Sequence, residues 1–115
     1  MDYRSFNSVR TQRLRWGLSS KDLSALIGRD PTKISRLEKR MESLTGRTVL
    51  ALMIVFGVPA RTLFPGMYEQ IEETVMERAA HLYKVLERRN DAQSVKRREL
   101  LTDMMRRATS STDFV

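Results

Sequence analysis

Residues 19–39 read SSKDLSALIGRDPTKISRLEK, and the punctuation inside that stretch decides how the chain folds. Ser19 stands before an apolar-periodic segment, with Asp22 three residues later. That is a variant of the capping box and predicts a helix over about 20–27. Leu23 and Ile27 take its inward face, and Gly28 ends it. Only Arg29 and Asp30 then precede Pro31. Asp30 is a good N-cap, and Pro31 sits at the first helical position, where its missing N–H would be unpaired anyway. A second helix is expected over 31–40, with Ile34 and Leu37 inward. Thr32, Lys33, Ser35, Arg36, Lys39 and Arg40 point elsewhere and form a polar, basic outer face.

Working outward, every glycine (17, 28, 46, 57, 66) and proline (31, 59, 65) falls between apolar-periodic stretches. A first helix is expected from Ser5 to Trp16, with Phe6, Val9, Arg13 and Trp16 on one face and Gly17 closing it. A fourth is expected from Arg47 to Phe56. It is apolar all round, which predicts burial on both sides, including Ala51 and Ile54. The natural cover is the segment 67–108. A short helix containing Leu63 and Phe64 completes the first 65 residues. No stretch alternates as a half-buried strand does, so the fold class is all-α.

Two short helices joined by a three-residue turn containing Gly, the second with a basic outer face, describe a helix-turn-helix. Ser24 and Gly28 are small enough for the helices to cross closely, and Ile34 and Leu37 lock the second helix to a core. Residues 13–39 (RLRWGLSSKDLSALIGRDPTKISRLEK) and 45–64 (TGRTVLALMIVFGVPARTLF) together resemble the Cro/repressor-type (XRE, lambda-repressor-like) DNA-binding family. The resemblance covers about residues 5–65. It implies a five-helix lambda-repressor-like domain over 1–65, followed by a two-helix C-terminal extension over 66–115. Three positions depart from the family's pattern: Ser24 stands in place of Ala, Arg40 in place of a helix-closing Gly or Asn, and Pro31 in place of a base-reading Gln or Arg.

In that family the second helix of the pair enters the DNA major groove and the first crosses the backbone. Carried over by position, Thr32, Lys33 and Arg36 are the base-contact residues, with Arg36 and Lys33 suited to guanine O6/N7 and Thr32 to a thymine methyl. Phosphate contacts are expected at helix N-termini, where free N–H groups and the helix dipole favour anions. Ser19 and Ser20 fit that role, as do Thr45, Arg47 and Thr48. Ser35, Lys39 and Arg40 lie where the chain borders the backbone. Arg13 is an odd residue for an inward face. The resemblance pairs it with Glu38 as an internal ion pair that orients the recognition helix.

Composition agrees with a polyanionic partner. Of 21 Lys+Arg, 12 lie in residues 1–65 against 5 acidic residues, while residues 66–115 hold 9 of each sign. The whole net charge of +7 therefore belongs to the first segment. Clustering of this kind points to nucleic acid, although a solvated basic surface has the same composition. With no Cys, thiolate zinc sites, disulfides and a thiol nucleophile are excluded; with His81 the one His, a His-rich metal site is excluded and a catalytic triad is not expected. No GxxxxGK[ST] loop or nucleophile–base set is visible, so no enzymatic activity, metal or cofactor is expected. No apolar run of about 18 residues exists, so no membrane span is expected. The N-terminus has no signal-peptide core, and a cytoplasmic location is expected.

The last 49 residues hold neither Gly nor Pro and predict long helices. Tyr68, Ile71, Val75, Ala79, Leu82 and Leu86 form one stripe, and Leu100, Leu101, Met104, Met105 and Ala108 a second. Asn90 or Asp91 is expected to cap the second helix. Glu69, Glu72, Glu73 and Glu77 are expected in the first turns, and Arg106 and Arg107 in the last. Such stripes serve internal packing, a dimer interface, or both. Reading two half-sites on DNA calls for a two-fold dimer. The expected dimer interface is Ile71, Val75, Leu82, Leu86, Leu101 and Met104. The functional expectation is a homodimeric, sequence-specific regulator of transcription, a repressor, bound to double-stranded DNA. The alternative is an antitoxin or adaptor-type module whose C-terminal helices hold a partner protein.

Overall fold

The computed structural model describes residues 6–40 and 44–112, with side chains for 6–39 and 44–109. It is all-helical: α1 (Val9–Arg15), α2 (Ser20–Ile27), α3 (Pro31–Arg40), α4 (Gly46–Phe56), α5 (Ala60–Leu63), α6 (Pro65–Leu86) and α7 (Ala92–Thr112), with no strand among the described residues. The chain forms two compact units, Met1–Gln70 and Ile71–Val115. The division falls inside α6, later than the boundary expected after residue 65.

In the first unit α2 packs on α3 and α4, and α4 packs on α5. The core is Val9, Leu23, Ile27, Ile34, Leu37, Leu52, Phe56, Leu63 and Phe64. Local chemistry sets the ends of α2 as its sequence predicts. The Ser19 hydroxyl accepts from the Asp22 N–H at 3.0 Å, and the Ser19 N–H donates to Asp22 Oδ2 at 2.9 Å, a closed capping box. Gly28, at φ 70°, ends α2 in the left-handed region that an L side chain enters only with strain. The Ser24 hydroxyl donates to the Arg29 carbonyl and pins the turn.

Two expectations for this unit are corrected. α1 starts at Val9, not Ser5, and of its expected inward face only Val9 and Arg13 are buried; Phe6 is 39 % and Trp16 64 % exposed. Phe6 precedes the helix, so its spacing to Val9 has no helical meaning, and Trp16 lies past the last turn with Arg15 stacked on its ring at 5.7 Å. Nor is α4 buried all round. Thr48, Leu52 and Phe56 are its buried line, Ala51 is half-buried, and Leu50 and Ile54 are exposed, Ile54 by 83 %. Its apolar composition exceeds what its packing uses.

The second unit is built on a small core of Ala79, Leu86 and Leu101, with Tyr83 and Met104 packed against it. Asp91 caps α7 as expected: its Oδ2 accepts from the Ser94 N–H at 3.0 Å and its Oδ1 from the Ser94 hydroxyl at 2.7 Å. The Arg98 guanidinium donates from α7 to the carbonyls of Leu86 and Arg89 at the end of α6, the former also accepting from the Arg89 N–H. The expected charge placement at helix ends is corrected. α6 begins at Pro65 with no acid in its first turn, and α7 runs past Arg106 and Arg107 with no base in its last.

Candidate functional site

The outer face of α3 is the candidate site, and it exists because the inner face is held from three directions. Ile34 and Leu37 are buried in the core. Glu38 receives Arg13 in a two-pronged ion pair, Nε to Oε2 at 2.8 Å and Nη2 to Oε1 at 3.1 Å. The side chains are only 10 % and 5 % exposed. The third Arg13 nitrogen, Nη1, donates to the Leu18 carbonyl at 2.9 Å, so the guanidinium ties α1, the start of α2 and α3 together. The Glu38 hydrogen bond outweighs burial and raises the Arg13 pKa, keeping the cation charged.

The third hold was not anticipated from sequence. Asn7 is buried and its Nδ2 donates to the Leu37 carbonyl at 3.0 Å and the Glu38 carbonyl at 3.4 Å. Its Oδ1 accepts from the Val9 N–H at 3.1 Å. One amide thus starts α1 and steadies the last turns of α3. Nothing in the local pattern marks its hold on α3, since those two carbonyls lie about thirty residues away.

On the solvent side Thr32, Lys33, Arg36 and Lys39 are exposed, and Ser35 is half-buried. The Arg40 side chain lies outside the described residues. At the leading tip the Asp30 carboxylate caps α3, with Oδ1 accepting from the Thr32 N–H at 2.7 Å. That bond, with Lys33 and Arg36 contributing, holds Asp30 below its ordinary carboxylate range.

The expected phosphate positions divide. Ser19 is exposed at the cap of α2 and Ser20 is half-buried behind it. The Asp22 carboxylate occupies the same helix end, held ionised chiefly by the Ser19 N–H, and it opposes a second anion there. The start of α4 carries no acid. Thr45 is exposed and its hydroxyl accepts from the Thr48 N–H at 3.2 Å, and Arg47 is exposed beside it. Thr48 is corrected: it is buried, its hydroxyl 3.1 Å from that of Thr45, and it offers nothing outward.

Within the second unit the six expected interface residues also divide. Leu86 and Leu101 are buried inside their own chain, and Met104 packs against them. Ile71, Val75 and Leu82 are exposed, as is Val85.

No three His, Asp or Glu side chains form a metal-binding group among the described residues. No helix among them is long and apolar enough to cross a membrane. Compared with family models, with curated proteins and with solved structures, the chain finds no match in any of the three.

Proposed function

We propose that the first unit is a lambda-repressor-like helix-turn-helix domain, with α2 and α3 as the pair, and that the protein is a sequence-specific regulator of transcription. It binds double-stranded DNA as a homodimer, acts in the cytoplasm as a repressor and performs no chemistry. The observation that supports this reading most is the construction of α3. A helix with exposed Thr32, Lys33 and Arg36 is fixed from behind by Ile34, Leu37, the Asn7 amide and the Arg13–Glu38 pair. A rigid helix presenting donors on a basic unit is what base reading in a groove requires. Lys39, Thr45 and Arg47 supply backbone contacts around it.

Residues Ile71, Val75, Leu82 and Val85 recur at spacings of four, seven and three and stay exposed on α6. We read them as the dimer surface, with Leu86, Leu101 and Met104 supporting it from inside the hairpin. The same exposed stripe favours the second reading, an adaptor whose C-terminal helices bind a partner protein. Mass measurement on the purified chain separates the two, since a self-paired stripe gives a dimer and a partner-dedicated one a monomer.

The deciding experiment is a selection of bound sequences from random duplex DNA, followed by a salt titration. A two-fold symmetric consensus is expected. Affinity should fall about 10³–10⁵-fold between roughly 50 and 200 mM salt if about 6–10 phosphates are contacted. Absence of a consensus together with a flat salt response would sink the reading.

A further inference from the structure

The basic face of α3 carries one charge of the wrong sign for a DNA surface. Asp30 sits at the tip of the helix that the proposed function places in the groove, and its carboxylate is exposed. Its position is fixed: Oδ1 accepts from the Thr32 N–H at 2.7 Å, and its carbonyl accepts from the N–H groups of Lys33 at 2.9 Å and Ile34 at 3.2 Å. Pro31 follows, so the backbone at the tip has no free N–H of its own at that residue to offer an anion. The capping bond itself does not require a charge, because Ser or Asn caps a helix about as well as Asp does.

In a groove this carboxylate meets two kinds of group. Phosphates repel it. Base edges offer it either acceptors or amines: guanine O6 and N7 and thymine O4 are acceptors, whereas cytosine N4 and adenine N6 carry hydrogens. An acceptor facing a desolvated carboxylate leaves both without a partner, which is the strongest way a site rejects a wrong base. Lys33 lies three residues on, on the same face of the helix. Acceptor and donor side by side match a C·G pair, with the cytosine amine to Asp30 and guanine O6/N7 to Lys33.

We propose that Asp30 is a specificity-determining residue, accepting a hydrogen bond from the exocyclic amine of a cytosine or adenine, cytosine foremost, at one position in each half-site. The inference rests on the DNA-binding reading above and adds to it the base class at the tip of α3. Asp30 works by exclusion: guanine and thymine are turned away at that position, and non-specific affinity is sacrificed to do it.

The experiment is the duplex selection run on the full chain beside Asp30→Asn and Asp30→Ser. Both substitutions keep an N-cap, and helicity and the thermal midpoint are recorded to show that α3 is intact. The wild-type consensus is expected to hold one base pair per half-site whose reversal, C·G to G·C or A·T to T·A, moves the amine to the other strand and weakens binding roughly 5- to 150-fold. Asn offers a donor as well as an acceptor, and Ser is short and adaptable. Both variants should lose the preference at that one position, keep it at the others, and bind scrambled duplex more tightly than wild type. If the variants select the same consensus as wild type, or weaken every duplex alike, Asp30 is a cap only and the inference is overturned while DNA binding stands. If wild type itself selects no sequence, the DNA-binding reading falls and this inference falls with it.

Discussion

Arg13 and Glu38 form the most enclosed charged contact among the described residues, and their removal should be felt asymmetrically. Arg13→Ala leaves a carboxylate in a nearly closed site and removes a donor from the Leu18 carbonyl, so it should destabilise by about 3 kcal/mol. Arg13→Met together with Glu38→Leu should recover most of that loss in urea unfolding, since an apolar pair of similar volume needs no compensation. DNA binding lost by the single mutant and regained by the double one marks a positioning role. At the outer face the contrast is between Arg36 and Arg47, both exposed. Arg36→Ala should weaken the preferred site by about 1–3 kcal/mol and relax one base position. Arg47→Ala should weaken preferred and scrambled duplexes alike, because a phosphate contact carries no sequence information. Competition binding of both mutants at one fixed salt concentration reads the difference.

Helix ends explain what was legible in the sequence and what was not. α2 and α3 run Ser20–Ile27 and Pro31–Arg40, where their sequence predicts, because Ser19, Asp22, Gly28, Asp30 and Pro31 act on backbone groups within a few residues. The sequence overextends α1 because its start is set by Asn7, which accepts from the Val9 N–H while reaching the carbonyls of Leu37 and Glu38, and because the Ser8 hydroxyl donates to the Thr62 carbonyl instead of capping the helix. Thr48 was misplaced because its residue type fits both a phosphate contact and an inward partner for the Thr45 cap. The open side of α4 is invisible in a helix with no polar residue from Val49 to Phe56. Glycine substitutions test the local account. Gly28 and Gly46 both have open space where a Cβ would go, but only Gly28 has a positive φ. Gly28→Ala should therefore destabilise by about 1–2 kcal/mol through backbone strain alone. Gly46→Ala, at the first position of α4, should stabilise by roughly 0.4–1 kcal/mol by reducing the freedom of the unfolded chain. Thermal midpoints moving in opposite directions confirm the assignment of φ.

Across the whole chain, acid is the condition that strikes several helix starts at once. Asp22, Asp30 and Asp91 each accept hydrogen bonds at a helix start and are held below the ordinary carboxylate range by them, Asp22 chiefly by the Ser19 N–H, Asp30 chiefly by the Thr32 N–H, and Asp91 by the Ser94 hydroxyl and then its N–H. A carboxylate with a lowered folded pKa contributes stability that is present above its unfolded value, about 3.9, and lost as pH falls through the lower folded one. Urea midpoints should accordingly be level near neutrality and decline below about pH 4. The triple Asp→Asn variant should flatten that decline. The two units will not respond as one body. Among the described residues, nine buried apolar side chains hold the first, whereas Ala79, Leu86 and Leu101, with Tyr83 and Met104 beside them, hold the second. So thin a core makes α7 the place where the chain opens ahead of global unfolding. Its amides should take up deuterium well before those of α2 and α4, and a protease should nick it first. If a second copy clasps the hairpin, that exchange becomes a clock for association: it runs fast in dilute protein and slows as concentration rises.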